Sequence, residues 1–199
     1  MATSLPLILA SASPRRRDLL QRAGVTFEVK PADVDETAQP GESPRASAQR
    51  LARAKALAVA ERVGAEPPRL VLGADTLVVV DGEAIGKPRD AEHAVALLTR
   101  LVGRRHRVIT AVAVVSSDTL QVRHTAVETD VVMRSANEQE LRDYVATGES
   151  LDKAGAYAAQ GEGRRLIEAI EGSETNVIGL PVNETLALLA AAGLEEPSP

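Results

Sequence analysis

Short apolar runs separated by polar turns form the first pattern along this chain. Residues 5–10 and 70–80 are almost entirely apolar and predict buried strands, the second of them broken by the polar step at residues 73–76. Further strands are predicted over residues 26–30, 107–116, 120–133 and 165–170. Asp81-Gly82 and residues 117–119 predict hairpin turns between neighbouring strands.

Helices are predicted between these strands. Two of them begin with a serine followed by a proline, Ser13-Pro14 and Ser43-Pro44, which is a typical helix start. Ser135 and Glu138 predict a capping box at the start of a later helix. The predicted helices cover residues 14–23, 44–63, 90–101, 135–147 and 181–192.

The order of these elements predicts the fold class. Strands and helices alternate, but the hairpins exclude a purely parallel sheet, so we expect an α/β fold with a mixed sheet and a central cleft. Residues 1–194 are predicted to form a single domain, and residues 195–199 a short polar tail. Residues 31–42 and the glycine-rich segment 148–163 are predicted loops.

Composition narrows the function classes. A net charge of −5 and an aromatic content of 2% argue against binding of a nucleic-acid polymer. The absence of cysteine excludes disulfides, thiolate metal sites and a cysteine nucleophile, so oxygen ligands are expected for any metal. No apolar run has membrane-spanning length and the first one has no basic segment before it, so a cytoplasmic location and no membrane partner are expected.

The first helix start is a candidate anion site. Residues 11–17 follow a strand and open a helix, where free backbone N–H groups and the helix dipole attract negative charge. Arg15, Arg16 and Arg17 oppose that dipole, and a bound polyphosphate would compensate for their unfavourable position. An ordinary solvated basic turn is the alternative, and these residues alone leave both open.

A second candidate is Asp75, which lies inside the apolar run of residues 70–80. A carboxylate in such a run is costly unless it is paired or binds a metal, which favours a metal ligand or a general base. Gly73 would allow a close backbone approach nearby. The alternative is an aspartate that ends a strand at a turn.

Two further features concern cations and amides. Only four lysines occur beside nineteen arginines, so Lys55, Lys87 and Lys153 stand out as compact charges, although chance explains any one of them. Gln160, in the glycine-rich segment, offers a donor and an acceptor that suit the edge of a base. His93, His106 and His124 show no metal-ligand spacing and receive no role.

Eight stretches, in this order and over nearly the whole chain, resemble the motifs of the Maf family of nucleotide pyrophosphatases. One such motif is weak, but the ordered set is highly specific. The stretches are Leu9-Ala-Ser-Ala-Ser-Pro-Arg-Arg16, Asp35-Glu36, Arg50-Leu-Ala-Arg-Ala-Lys55, Gly73-Ala-Asp-Thr76, Gly86-Lys-Pro88, Asp152-Lys-Ala-Gly-Ala-Tyr157, Gln160-Gly161 and Asn176-Val-Ile-Gly-Leu-Pro181.

The resemblance implies a two-lobed fold like that of inosine triphosphate pyrophosphatases and hydrolysis of a nucleoside triphosphate to monophosphate and pyrophosphate. The position of Asp75 matches the family's proposed proton acceptor. Arg15, Thr76 and Gln160 match the positions that separate its substrate branches, and this combination resembles the dTTP/UTP pyrophosphatase branch. Ala158-Ala159 and Glu174 depart from the usual family residues, which puts the fine shape of the substrate site in doubt but not the reaction.

These inferences combine into one hypothesis for the site. Asp75 is predicted to be catalytic, as a general base or as the ligand that orients the water, and the sequence leaves both open. Glu36 and Asp75 are predicted to bind a Mg or Mn cation, while Asp33 and Asp35 alone are expected to form a solvated loop. The predicted substrate-binding residues are Ser11, Ser13, Arg15, Arg16, Lys55, Thr76, Lys87, Lys153 and Gln160.

Three rival readings stay open at this point. The same enzyme could act on 7-methyl-GTP or another modified nucleotide. The family's association with inhibition of septum formation allows a regulatory protein with little turnover. A nucleic-acid binder is the third, and the acidic balance argues against it. A homodimer is expected only through the family.

Overall fold

A mixed sheet runs through the part of the chain that the computed structural model describes, residues 5–194. Within these residues the sheet has seven strands in the order β2-β1-β3-β5-β6-β7, with β4 paired to β3. The strands are β1 (Leu7–Leu9), β2 (Phe27–Val29), β3 (Leu70–Val80), β4 (Glu83–Ile85), β5 (Arg105–Ser116), β6 (Val122–Met133) and β7 (Ile167–Glu171).

Helices connect most of these strands. The α-helices of the described chain are α1 (Pro14–Arg22), α2 (Pro44–Val63), α3 (Ala91–Thr99), α4 (Glu138–Ala146), α5 (Glu174–Ile178) and α6 (Val182–Ala191). Short 3₁₀ helices occupy Ala154–Ala156 and Gly161–Leu166, inside the predicted loop of residues 148–163. No helix among the described residues is long and apolar enough to cross a membrane.

Strand directions confirm the predicted mixed α/β class. β1 is parallel to both β2 and β3, so Ile8 lies between Glu28 and Val71. β4 is antiparallel to β3 and β7 is antiparallel to β6. The predicted Asp81-Gly82 turn joins β3 to β4, and both residues have the positive φ, 52° and 81°, that a tight hairpin turn of this kind requires.

The described residues group into two compact units. The first comprises the chain up to Asp75, Thr110–Val127 and the described residues from Gly179 onward; the second comprises Thr76–Ile109 and Glu128–Ile178. β3, β5 and β6 each contribute residues to both units. The single domain over residues 1–194 stays a prediction, and the predicted tail of residues 195–199 lies outside the described residues.

The first unit has a core of aliphatic strands covered by alanine-rich helix surface. All three residues of β1 are buried, as are residues 70–72 of β3, which is typical of strands covered on both faces. α2 turns Ala48, Ala52 and Ala56 inward, together with the larger Leu51 and Val59. These small side chains allow the helix backbone to approach the sheet closely.

The second unit has its own core, formed by strand residues and two helices in contact. α3 packs against α4 and against the 3₁₀ helix Ala154–Ala156. Leu98, Leu101, Met133 and Leu141 are fully buried there. The Ala158 nitrogen donates to the Tyr144 hydroxyl at 3.1 Å, which places the glycine-rich segment beside α4.

Two predicted details are wrong. β3 runs unbroken through residues 73–76, because Gly73 lacks the side chain that would collide with α2 and the polar residues keep extended geometry. The capping box of α4 is formed by Asn137 and Glu140 rather than Ser135 and Glu138. The Asn137-to-Glu140 spacing meets the same rule two residues later, where the helix begins.

α5 was not predicted, since its five residues are too few to show a helical period.

Candidate active site

A lysine bridges two carboxylates in the first unit. Lys55 Nζ lies 2.7 Å from Asp75 Oδ1 and 2.7 Å from Glu36 Oε1. The side chains of Lys55 and Asp75 are only 12% and 9% exposed, whereas Glu36 is 57% exposed. Burial strengthens the attraction within the Lys55–Asp75 pair and also makes either charge costly without the other. We call these three residues the acid–lysine cluster.

The cluster depends on close packing of α2 against β3. Asp75 is on β3 and Lys55 is on α2. A Cβ placed on Gly73 would lie 2.3 Å from the Ala52 carbonyl oxygen and 2.7 Å from the Ala56 nitrogen. The predicted close backbone approach at Gly73 is therefore confirmed, and it brings the lysine of the helix to the aspartate of the strand.

The start of α1 presents an arginine to the same carboxylates. Arg16 donates from Nε to the Gly179 carbonyl at 2.9 Å and from Nη1 to Ser11 Oγ at 3.1 Å. Burial lowers the pKa of Arg16, and the charges of Asp75 and Glu36 counteract that shift. Ser11 is 8% exposed and also accepts from the Ser13 backbone nitrogen at 3.2 Å. Ser13 is the N-cap of α1 as predicted, although its own side chain makes no capping hydrogen bond.

Glu36 lies on a loop that is stabilised by hydrogen bonds from Arg50. Arg50 binds both carboxylate oxygens of Glu42 at 2.8 Å and donates to the Thr37 carbonyl at 3.2 Å. Asp35 accepts from the Thr37 side chain and backbone at 2.5 Å and 2.9 Å, and these bonds lower its pKa. Asp35 therefore stabilises the turn and Asp33 is exposed, so Glu36 is the loop acid that joins Asp75.

One oxygen of the central carboxylate has no partner. Asp75 Oδ2 is buried and makes no hydrogen bond within the described part of the chain. Buried carboxylate oxygens are rarely left unsatisfied, so a water, a substrate proton or a cation is the expected partner. No group of three or more histidine or acidic residues that could hold a metal occurs among the described residues. A cation at Glu36 and Asp75 would therefore need further oxygen ligands, as Mg²⁺ commonly takes from substrate phosphates.

The remaining predicted site residues lie in the second unit, which begins with Thr76, directly bonded to Asp75. Lys87 is exposed just after β4, and the Gly86 carbonyl accepts from the Gly155 nitrogen at 3.1 Å. That bond joins the Lys87 turn to the glycine-rich segment. Gln160 is exposed on this segment, between two 3₁₀ helices.

Lys153 has a different environment from that of a free phosphate ligand. Its ammonium donates to the Glu149 carbonyl and to Asp152 Oδ1, and its side chain is 14% exposed. Two of its three N–H donors are used in this turn. Its predicted role in substrate binding is untested and stays a prediction, with at most one further donor available.

Some residues near the predicted site were missed by sequence reasoning. His106, to which no role was assigned, is buried and lies 2.7 Å from the Tyr157 hydroxyl through Nε2. Its position on β5 two residues before Val108 shares the inward-facing period of that strand, which could have identified it. Tyr144 and Glu149 hold the backbone around Gln160, and no sequence pattern pointed to them.

Seven of the predicted site residues lie in the first unit: Ser11, Ser13, Arg15, Arg16, Glu36, Lys55 and Asp75. The contacts above join Glu36, Lys55 and Asp75 directly, and Ser11 with Arg16. Thr76, Lys87, Lys153 and Gln160 belong to the second unit. The acid–lysine cluster, with its buried Asp75, and the arginine-bearing start of α1 offer the cations and backbone donors that suit a phosphorylated anion.

The chain belongs to the Maf-like protein family, whose model matches residues 6–192. The resemblance seen in the sequence motifs is thereby confirmed. Among known relatives, the dTTP/UTP pyrophosphatase of Myxococcus xanthus (strain DK1622) is 51% identical over 193 residues, covering 96% of this chain and 94% of the relative. The dTTP/UTP pyrophosphatase of Anaeromyxobacter dehalogenans (strain 2CP-1 / ATCC BAA-258) is 50% identical over 193 residues and covers 96% of each chain.

Solved structures of lower identity also align along the chain. A HAM1 protein from Coxiella burnetii matches with a TM-score of 0.48 and 14% identity, covering 94% of this chain and 99% of that one. The Staphylococcus aureus Ham1 protein matches with a TM-score of 0.48, 16% identity and the same coverage.

Proposed function

We propose that this chain hydrolyses dTTP and UTP to the nucleoside monophosphate and pyrophosphate. The observation that carries the proposal is the buried Asp75, paired with Lys55 through one oxygen and unpartnered at the other. The two bacterial relatives at 50% and 51% identity, both named dTTP/UTP pyrophosphatase, support the substrate choice. The rest of the proposal follows from what each side chain offers to a triphosphate.

Phosphate binding is assigned to the cations and to the start of α1. A cation about 4 Å from a phosphate charge contributes on the order of 4 kcal/mol of raw Coulomb energy at an effective dielectric of 20, before desolvation is subtracted. The predicted binding residues Arg15, Arg16, Lys55, Lys87 and Lys153 would supply this attraction. Ser11 and the backbone N–H groups after Ser13 add hydrogen bonds to the phosphate oxygens.

Asp75 is assigned the proton transfer. Its unpartnered Oδ2 takes a proton from a water whose oxygen attacks the α-phosphorus, while the P–O bond to the bridging oxygen breaks and pyrophosphate leaves. Lys55 keeps the carboxylate oriented through its contact with Oδ1. Arg16 adds positive charge where the leaving group develops negative charge.

A divalent cation, Mg²⁺ or Mn²⁺, fits Glu36 and Asp75, because both offer carboxylate oxygens and Asp75 has a buried oxygen without a partner. When bound, it would neutralise phosphate charge and make the attacking water more acidic. Lys55 lies between the two carboxylates, so its ammonium would yield part of its contact with Glu36. Glu36 is the more exposed acid and the easier one to rearrange.

We assign selection of the nucleotide base to Gln160 and Thr76. A uracil-type base presents the O4 acceptor beside the N3–H donor, and one carboxamide can match both. A cytosine base presents a donor at the first position and an acceptor at the second, so it mismatches the same carboxamide in that orientation. UTP should therefore be preferred over CTP.

The test is product analysis with dTTP, UTP, CTP and 7-methyl-GTP, each with and without Mg²⁺. We expect pyrophosphate and monophosphate from dTTP and UTP only when Mg²⁺ is present. Hydrolysis of 7-methyl-GTP alone would contradict the proposed substrates and assign the chain to the 7-methyl-GTP branch of the family. Absence of turnover with any of the four would contradict the enzyme assignment.

The matching variants are Asp75→Asn and Lys87→Ala, with the exposed Asp143→Asn as the control. Loss of a positioned electrostatic group typically lowers turnover by ~10²–10³-fold, and we expect at least that for both site variants. The control should keep wild-type turnover. Near-normal pyrophosphate release by a folded Asp75→Asn protein would remove the basis of the mechanism.

A further inference from the structure

The segment that carries Gln160 is a short loop closed at its base. We define residues 158–163 as the Gln160 loop. Ala158 and Gly163 are buried at its two ends, while Gln160 is exposed between them. A Cβ placed on Gly163 would lie 2.6 Å from the Ala158 carbonyl oxygen and 2.8 Å from the Ala158 nitrogen. The two ends of the loop are therefore in direct backbone contact.

One tyrosine hydroxyl holds the first end of this loop. Tyr144, on α4, accepts a hydrogen bond from the Ala158 nitrogen at 3.1 Å through its hydroxyl. The side chain is 2% exposed, and burial raises the pKa of its hydroxyl. The hydroxyl thus stays protonated at neutral pH and remains a neutral acceptor for the Ala158 nitrogen.

One carboxylate holds the second end. Glu149 Oε1 accepts from the Glu162 nitrogen at 3.2 Å, and Oε2 accepts from the Gly163 nitrogen at 2.9 Å. A Cβ on Gly161 would lie 2.1 Å from Glu149 Oε1, and a Cβ on Gly163 would lie 2.6 Å from the Tyr144 hydroxyl. Both glycines are thus required for the two side chains to reach the loop backbone.

We propose that Tyr144 and Glu149 are positioning residues that set the base selectivity of the site by fixing the Gln160 loop. The inference rests on the proposed function, in which Gln160 pairs with the uracil or thymine edge. A carboxamide discriminates O4 from an amino group only if its own plane and position are fixed. Three hydrogen bonds through two side chains supply that fixation at both ends of the loop.

The kinetic test compares UTP and CTP, which differ only at the base edge. Tyr144→Phe keeps the ring and removes the hydroxyl, and Glu149→Gln removes an acceptor. Each should lower the UTP-to-CTP ratio of kcat/KM by at least about threefold, the effect expected for one lost hydrogen bond. The change should be mainly in KM for UTP, because the acid–lysine cluster is untouched. Adding Tyr144→Phe to Gln160→Ala should lower the ratio no further.

The control is Glu140→Gln on the same helix, which removes the ion pair with Arg134, while the carboxamide can still accept from the Asn137 nitrogen and the Gln160 loop is untouched. It should keep the UTP-to-CTP ratio even if the protein is destabilised. Amide hydrogen exchange gives a second readout, because Tyr144→Phe should speed exchange in a peptide spanning Ala158 to Gly163 and Glu140→Gln should not.

The outcomes separate this inference from the proposed function. A wild-type chain that hydrolyses none of the nucleotides overturns the proposed function and the inference with it. An active enzyme whose Gln160→Ala variant loses selectivity, but whose Tyr144→Phe and Glu149→Gln variants keep it, overturns the inference alone. Unchanged exchange in the Gln160 loop of Tyr144→Phe does the same. A fall in selectivity that adds to that of Gln160→Ala would show that Tyr144 acts by another route.

Discussion

At the scale of single residues, Lys55 is a nearly buried cation that lies between two carboxylates. Its ammonium is shared by a buried and an exposed carboxylate at equal distances of 2.7 Å. Breaking a buried ion pair by removing one partner leaves an uncompensated charge, which typically costs about 3–5 kcal/mol. Lys55 therefore contributes to folding as well as to the proposed binding of phosphate.

Lys55→Met should lower the free energy of unfolding by about 3 kcal/mol, because Asp75 loses its closest counter-charge while it stays buried. Urea denaturation at pH 7 measures the effect. Lys30→Met is the matched control, since Lys30 pairs at 3.3 Å with an exposed Glu28 and such pairs contribute at most about 1 kcal/mol. Equal losses in the two variants would contradict the assignment of a buried pair.

His106 gives a second prediction at this scale, through its pKa. Burial lowers the pKa of His106 from 6.5 to about 4, although the charge of Asp130 raises it slightly. The unfolded chain therefore binds a proton between these pH values that the folded chain does not, so stability is intact above pH 6.5 and falls as the pH drops towards 4. Between pH 7 and pH 5 the loss from this group should be about 2 kcal/mol.

His106→Gln should lack this part of the pH dependence whatever its stability at pH 7. The measurement is the difference in unfolding free energy between pH 7 and pH 5 for both proteins. Identical differences would mean that His106 titrates normally in the folded state, which its burial against Tyr157 argues against.

At the scale of elements, the contact between β3 and α2 decides whether the cluster forms. Gly73 and the alanines of α2 let the two backbones come closer than ordinary side chains allow. Residues 73 and 75 lie on the same face of β3, and residues 52, 55 and 56 lie within about one turn of α2. One packing contact therefore sets both the core of the first unit and the Lys55–Asp75 distance.

Gly73→Ala should lower the free energy of unfolding by about 1–3 kcal/mol or more, because the added Cβ meets backbone atoms that cannot rotate away. Turnover should fall as well, since the strand and helix must separate. Gly86→Ala is the control for stability, as a Cβ there meets nothing within 4 Å. Thermal unfolding and pyrophosphate release of both variants test this, and a wild-type melting temperature for Gly73→Ala would refute it.

Sequence reasoning did well where one local rule acts alone. The Ser43 cap, the Asp81-Gly82 turn and the stop at Gly64 follow local rules and are as predicted. It failed where two rules compete or where partners are distant in sequence. Ser135 with Glu138 and Asn137 with Glu140 both meet the capping rule, and the helix begins after Asn137.

The candidate site shows the same division. Asp75 could be predicted because a charged residue inside an apolar run can be recognised in the sequence alone. Glu36 and Lys55 were predicted through the family motifs. Their common contact could not be derived from spacing, since 20 residues separate Lys55 from Asp75. Tyr144 and Glu149 show no sequence pattern at all, because their partners are backbone groups rather than side chains.

At the scale of the whole molecule, the number and pairing of acidic residues indicate when a metal ion would bind. The chain has 28 acidic and 23 basic residues, yet the acids of the cluster are already paired with Lys55. Within the described residues, no group of three or more histidine or acidic side chains could hold a metal ion. A divalent cation should therefore bind together with the nucleotide and contribute little to the fold before it.

Mg²⁺ alone, at about 5 mM, should shift the melting temperature by less than about 1 °C, because little binding means little stabilisation. Mg²⁺ with a non-hydrolysable dTTP analogue should raise it by several degrees, about 2–4 °C for each kcal/mol of binding energy. The analogue without Mg²⁺ is the control and should stabilise less. A large shift with Mg²⁺ alone would indicate a preformed metal site.

The burial of Lys55 makes the chain a convenient subject for amine-reactive footprinting. Only four lysines are present, and Lys55 and Lys153 are 12% and 14% exposed while Lys30 and Lys87 are more open. An acylating reagent should thus modify Lys87 and Lys30 first, and each modified peptide is separately identifiable by mass. Protection of Lys87 on addition of a triphosphate would then report occupancy directly, without any turnover.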